Sequence, residues 1–367
     1  MKKIFIILFC AICVSATAQD ENKDKPVREC GTLPPPKSKL YTPSPDIMEK
    51  ALHPNPATPY AIKVFFHKCA NDDGTNVACG DSSILRQLDN ARIFYAPQNI
   101  CFVLAGIDQI NSSDLNIQDA SNEESELNPY MVSGCLNVFV HVTLFDNNGN
   151  LNGIAYAIPN TYLSIVSSAI KSSSNRSTLA HEMGHDFNLL HTFETAYGAE
   201  AVARSGSCKD CDSEGDLLCD TKADPNSSTY DVSNYITNCV YSGTKTDECG
   251  TVYQMDPHNL MTYGVRSCRN LFTSGQGSRA RACISGNGIF ADKQAPVAYA
   301  VIGVVSISSG KRIDVATSSV VINSPNYHIY GTCQGNIAAS VVTILPGADL
   351  APSGSGFSEV RVNTFCQ

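Results

Sequence analysis

The stretch HEMGHDFNLLH, residues 181–191, gathers three of the chain's eight histidines and one glutamate within eleven positions. His181 and His185 are four apart, so on a helix both imidazoles leave one face about one turn from each other, close enough to hold a single zinc ion. His191 would point away if the helix ran on. Asn188 is a residue type that accepts the left-handed conformation ending a helix, and a reversal there brings His191 back to the pair. Three neutral imidazoles leave the fourth position of a tetrahedral zinc open to water. Glu182, directly after the first histidine, is placed to take that water's proton and pass it to a leaving amine. The rival reading is an amphipathic helix whose histidines face solvent, and the third His at this offset counts against it.

Several elements must position this cluster. NRSTLAHEMGHDFNLLH reads as a helix with Ser177 or Thr178 as N-cap and Leu179, Met183, Phe187 and Leu190 as its apolar contacts. Upstream, AIKVFFHK reads as a strand, SSILRQLDNARIFYA has apolar residues at helical spacing, and CFVLAGI and LNVFVHVTLF are β-rich runs. This is an α/β pattern of strands around a long helix. NGIAYAIP reads as a short edge strand ending at Pro159, since proline cannot donate to a ladder. Residues 192–258, rich in Cys, Asp, Ser, Gly and Asn, predict a loop-dominated subdomain stapled by disulfides. The resulting division is a signal segment at 1–18, a leader at 19–60 too proline-rich for regular structure or a core, a catalytic domain at 61–290, and a small C-terminal β module at 291–367.

The chain of 367 residues is 43% apolar and 17% charged, ordinary for a globular protein with a sizeable core. MKKIFIILFCAICVSATA joins two lysines to an apolar run and ends in Ala16-Thr17-Ala18, the pattern a signal peptidase cuts, which predicts export. No later stretch stays apolar long enough to cross a bilayer, so a soluble mature chain without membrane insertion is expected. The balance of 26 basic against 35 acidic side chains argues against a nucleic-acid partner, and loss of Lys2 and Lys3 makes it more acidic still. Of sixteen cysteines, Cys10 and Cys13 leave with the signal segment, and the even remainder reads as a disulfide framework. Zinc-ribbon spacing is the weaker reading, because Cys208 and Cys211 lack a second such pair.

H-E-x-x-H-x-x-G-x-x-H is the metzincin signature, and HEMGHDFNLLH resembles it at every position but Asn188, which replaces the usual Gly. NLMTYG, 259–264, looks like the methionine turn of that clan. Phe193, GDLLCDT from Gly215 and NLFTSGQGSRARAC from Asn270 narrow the resemblance to the pappalysin family, over about 61–290. The fold so implied is a metzincin α/β (α+β) domain: a twisted mixed sheet with a backing helix and an active-site helix, above a disulfide-rich lower subdomain. The resemblance implies zinc ligands His181, His185 and His191, general base Glu182, turn methionine Met261, and Tyr263 either as an oxyanion-stabilising tyrosine or as a packed turn residue. It also makes NGIAYAIP the rim strand that binds extended substrate antiparallel. RECGT, 28–32, resembles the cysteine-switch segment of pappalysin zymogens, with Cys30 as a fourth zinc ligand; half of a disulfide is the other reading, and cysteine parity supports it. DCDSEGD, with Asp210, Asp212, Glu214 and Asp216, resembles the first half of a calcium loop, but Thr221 stands where the bidentate acid should be, so calcium and a solvated acidic turn stay equally open. The disulfides implied are Cys208 to Cys249 and Cys239 to Cys268. Family members of the ulilysin type cleave before Arg or Lys through an Asp at the position of Arg266, so this chain is expected to disfavour basic residues there and accept acidic or neutral ones, unless Arg266 simply faces solvent.

The function expected is that of a secreted zinc endopeptidase made as a zymogen and acting on protein or peptide substrates. A binding or adhesion protein on a decayed protease scaffold is the alternative, against which the intact Glu182 and three histidines argue; a zinc amidase is weaker, because a substrate-pairing edge strand suits an extended peptide.

Overall fold

The computed structural model describes residues 27–362, so the signal segment lies outside the described residues. Its centre is a five-stranded sheet. Strands β1 (Tyr60–Ala70), β2 (Ile100–Asn111), β3 (Leu136–His141), β4 (Gly153–Ala155) and β5 (Tyr162–Val166) lie in the order β2-β1-β3-β5-β4. All neighbours are parallel except β4, which pairs antiparallel with β5 and forms the edge. Parallel strands covered on both faces read as continuous apolar runs, and β3 is buried at all six positions. The run LNVFVHVTLF is accordingly two strands: β3 stops at His141, and Thr143–Asp146 joins a separate small sheet.

Helix α2 (Asp81–Tyr95) backs the sheet through Ile84, Leu88, Ala91 and Tyr95, the helical spacing read in the sequence. Helix α3 (Thr178–Asp186) carries the first two histidines and is buried along its whole length. The Tyr95 hydroxyl donates to the Ala180 carbonyl at 3.0 Å and ties the two helices together. Ser177 is the N-cap by position but makes no side-chain cap bond; Asn175 Oδ1 instead accepts from the Thr178 N–H at 3.3 Å.

The proline-rich leader departs from expectation. Pro45 opens a regular helix, α1 (Pro45–Leu52), because its missing N–H and fixed φ suit a first helical turn. This helix packs on α4 (Ser274–Gly286), where Arg281 Nε donates to the carbonyl of the fully buried Ala51 at 2.8 Å. Cys30, Gly31 and Thr32 are buried as well, so the leader shares the core rather than lying over it.

The lower subdomain has few strands and three disulfides: Cys208–Cys249 and Cys239–Cys268, both as the resemblance implied, and Cys211–Cys219, which was not anticipated. A disulfide framework using every mature cysteine is not what forms. Cys69, Cys79, Cys135, Cys283 and Cys333 are buried thiols set in the core, where cysteine packs as a small hydrophobe. The parity argument for a Cys30 disulfide lapses with them; Cys30 is a buried thiol too.

The C-terminal β region is a parallel stack. Its nine strands, from Ala298–Val301 to Phe357–Val362, form three sheets of three: Ala298 pairs with Ser319 and Ser319 with Val341, and the two other sheets repeat the pattern. Val315 and Ala338 of this stack pack with Ala61 and Val103 of the main sheet, and Lys311 pairs with Asp108 of β2 at 2.6 Å. No helix among the described residues is long and apolar enough to cross a membrane.

Candidate metal centre

Helix α3 ends at Asp186, and Asn188 takes φ 72°, the left-handed conformation its residue type favours. The Leu189 N–H reaches back to the Gly184 carbonyl at 2.9 Å, closing the turn that returns His191 to the helix. His191 Nε2 then lies 3.2 Å from His181 Nε2 and 3.1 Å from His185 Nε2. Ligand atoms at tetrahedral corners around zinc, with bonds of about 2.0–2.1 Å, stand ~3.3 Å apart, so the three nitrogens fit that ion. The far ring nitrogens fix the tautomers of two of them: His181 Nδ1 donates to the Leu260 carbonyl at 2.6 Å and His185 Nδ1 to the Leu189 carbonyl at 2.8 Å. Burial pushes all three imidazoles down, His185 to about 4, which keeps them neutral with lone pairs facing one point.

Cys30 joins them. Among the described residues, its Sγ and the three histidines form the only group of three or more His, Cys, Asp or Glu whose ligand atoms converge, all within 4.8 Å of one another. The Cys30 thiol donates to Glu182 Oε2 at 3.2 Å, and the Thr32 hydroxyl donates to the same oxygen at 3.3 Å. Burial raises the Glu182 carboxyl to about 8 despite these bonds, and Oε1 has no hydrogen-bond partner. Burial, and then the charge of Glu182, raise the Cys30 thiol.

The leader reaches this point alongside the rim. Arg28 bridges Leu151 in the parallel sense, the Arg28 N–H donates to the Asn150 carbonyl at 2.8 Å, and the Gly31 N–H donates to the Gly153 carbonyl at 3.0 Å. The Ala155 N–H donates to Thr32 Oγ1 at 2.8 Å, and Arg28 pairs with Asp146. Thr192 to Tyr263 form the floor. Met261 is fully buried beneath α3, and the Thr192 N–H donates to its carbonyl at 3.2 Å. The Tyr263 hydroxyl donates to the Cys30 carbonyl at 3.1 Å, with its ring 4.9 Å from that of His191.

Sequence comparison meets the same region. A family model described as metallo-peptidase family M12 matches residues 70–231. An extracellular metalloprotease of Neurospora crassa is 26% identical over 239 residues, 59% of this chain and 72% of its own length. One from Verticillium alfalfae is 27% identical over 306 residues, 77% of this chain and 97% of its own length. The match and these relatives mark the chain as a metallopeptidase. A promirolysin mutant of Tannerella forsythia aligns over 73% of this chain and 97% of its own at 21% identity, with a TM-score of 0.48. The extracellular relatives and the disulfides agree with a metallopeptidase that works outside the cell.

Every site residue named from the sequence lies in or around this cluster except the acidic loop. Asp210 turns to the Ala201 N–H, Asp212 pairs with Lys209, and Asp216 is buried against Thr221 and the Leu218 N–H, so no half-loop forms. Arg266 does not face solvent alone. Its Nε and Nη2 hold both oxygens of Glu29 at 2.6–2.9 Å, and Arg269 Nη2 adds a bond at 2.8 Å. Neither Glu29 nor Arg269 was singled out from the sequence, although the first lies in the quoted RECGT; partners some 240 positions apart leave no local signal.

Proposed function

We propose that the chain is a secreted zinc endopeptidase held latent by Cys30. The observation that carries the reading is the convergence of the Cys30 thiol with three imidazoles, four donors of the number and kind that a zinc ion takes. His181, His185 and His191 would hold the ion, and Cys30 would take the position a water needs. Zinc, when bound there, supplies Lewis-acid polarisation of the scissile carbonyl and of the attacking water. Glu182 would do the proton work: its Oε2 accepts a hydrogen bond from the Cys30 thiol, and the same oxygen would take the water's proton and give it to the leaving amine once the leader has gone. The Tyr263 hydroxyl, which reaches a backbone carbonyl at this point, would donate to the scissile carbonyl oxygen as charge builds on it.

The leader's direction supports latency. It runs parallel to the 149–155 segment, whereas an extended substrate would lie antiparallel to that edge as an added strand. The first eighteen residues, outside the described ones, would supply the export signal. Calcium is a second part of this reading: both carboxylate oxygens of Glu200 and Oδ2 of Asp216 are buried without hydrogen-bond donors, although Arg204 lies 2.9 Å from Glu200, and a hard cation takes such oxygens.

The test is secretion of the full chain and of Cys30→Ala. The parent should be inactive on a denatured protein until processed, the variant should cut with a shortened lag, and a chelator should stop both. Intact-mass analysis that finds Cys30 in a disulfide overturns the latency reading. A processed chain that retains zinc yet cuts no peptide favours the binding-protein alternative.

A further inference from the structure

The Glu29 carboxylate is held by two guanidinium groups of unequal exposure. The Arg266 side chain is 36% exposed and that of Arg269 is 1% exposed. Arg269 spends Nη1 on the Thr262 carbonyl and offers Nη2 to Glu29, while its Nε has no partner. Among the described residues, Glu29 is the only carboxylate paired with either arginine. Removal of the leader strips a buried guanidinium of its anion, a costly state in a protein interior.

The geometry of the leader says where this pocket falls for a substrate. Glu29 precedes Cys30 on an extended segment that runs parallel to the rim, and on the endopeptidase reading above a substrate added to the same edge would run the other way. The residue that follows the scissile carbonyl in a substrate therefore occupies the place of the residue that precedes Cys30 in the leader. We infer that Arg266 and Arg269 form a selecting pocket for an acidic side chain, Glu or Asp, directly after the scissile bond. This rests on the endopeptidase reading and adds its substrate class. The cleft around Glu29, of about 590 Å³, is walled by Phe193, Asn226, Ser227, Tyr263 and Val265, room for a side chain the size of glutamate. Its other carboxylate, Asp231, accepts from the Ser233 N–H at 2.9 Å and is not paired with either arginine. Bidentate guanidinium pairing favours a carboxylate over a neutral amide of the same shape, and two positive charges repel Lys and Arg.

Two measurements test it. In the first, the processed secreted enzyme is given a proteome-derived peptide library. Glu and Asp should dominate the position after the cut, and Arg266→Ala should lower the rate on Glu-containing peptides several-fold relative to Ala-containing ones, the loss expected when the bidentate, partly exposed arm of a charge pair is removed and the buried one stays. A dominant Arg or Lys at that position, or an apolar preference with no acidic excess, overturns the proposal. The second needs no turnover: the rate at which a thiol reagent labels Cys30 in the folded full chain, read by peptide mass spectrometry, reports how firmly the pocket holds its acid. Labelling should be slow with Glu29 and Glu29→Asp, faster with Glu29→Gln, and fastest with Glu29→Arg, variants that leave the arginines in place. Equal rates across the series overturn it. A library left wholly uncut counts against the endopeptidase reading instead, while the labelling series still judges the pocket.

Discussion

The sulfur of Met261 lies against Gly184, three positions after His181 and directly before His185: a Cβ built on Gly184 would stand 2.6 Å from Met261 Sδ and 3.2 Å from its Cε. The methionine turn thus fixes the helix that carries two imidazoles by close contact with its one glycine. Gly184→Ala gains about 1 kcal/mol of helix propensity but overpacks a fully buried methionine, at a cost of about 1–3 kcal/mol. A net loss of ~1 kcal/mol and weaker zinc retention are expected in denaturant and metal-release measurements. The double variant with Met261→Ala should lose less than the two single changes added together, which a double-mutant cycle reads directly.

Glu182 and His191 should separate by their effect on metal and on turnover. Glu182→Gln removes the base but no ring nitrogen, so the protein should keep its zinc and lose ~10²–10⁴ in rate. His191→Ala removes one of three converging donors and should empty the site. Metal content measured beside peptide cleavage distinguishes them, and an empty Glu182→Gln would overturn the role given to Glu182.

The buried carboxylates of the lower subdomain predict a pH dependence. The Glu200 carboxyl is raised from 4.5 to about 8 by burial and then by the charge of Asp216, with Arg204 pulling it down. The folded state thus prefers the protonated acid, and ionisation costs nothing below about pH 4.5, an increasing amount as pH climbs to about 8, and its full amount above. In chelator the unfolding temperature should fall across that window. Glu200→Gln should flatten the fall, and calcium should reverse it in the parent only; identical profiles for parent and variant would rule out Glu200 as the source.

Cys208–Cys249 spans 41 positions, and chain-entropy arithmetic puts its loss near ~4 kcal/mol, against ~2.5 kcal/mol for the eight-position Cys211–Cys219 link. Paired serine substitutions should rank in that order in equilibrium unfolding. Thiol counting after denaturation should still find Cys69, Cys79, Cys135, Cys283 and Cys333 reduced in the parent.

What the sequence disclosed was local. The His181–His185 spacing, the left-handed Asn188, the edge strand before Pro159 and the loop-rich disulfide region all follow from residue type and near neighbours. Pro45 shows the ambiguity of proline, which breaks a helix from within and starts one from its first turn. The C-terminal runs gave their strands but not their pairing, because four- and five-residue alternating segments suit parallel and antiparallel partners alike; only the stacked register of Ala298, Ser319 and Val341 decides. Glu29 with Arg266 and Arg269, like Thr32 with Glu182, joins residues that meet only after folding.

The leader's two ends are held in different places. Its first part hooks into the cleft through Glu29, Cys30 and Thr32, whereas α1 packs on α4 and gives its Ala51 carbonyl to Arg281. Between them Pro36 to Lys39 lie exposed at the surface, with two lysines open to a trypsin-like cut. On the latency proposed above, a break there would free the hook while Pro45–Leu52 stayed behind as a brace, so the processed enzyme would begin well ahead of its first sheet strand and keep part of its own restraint as scaffolding.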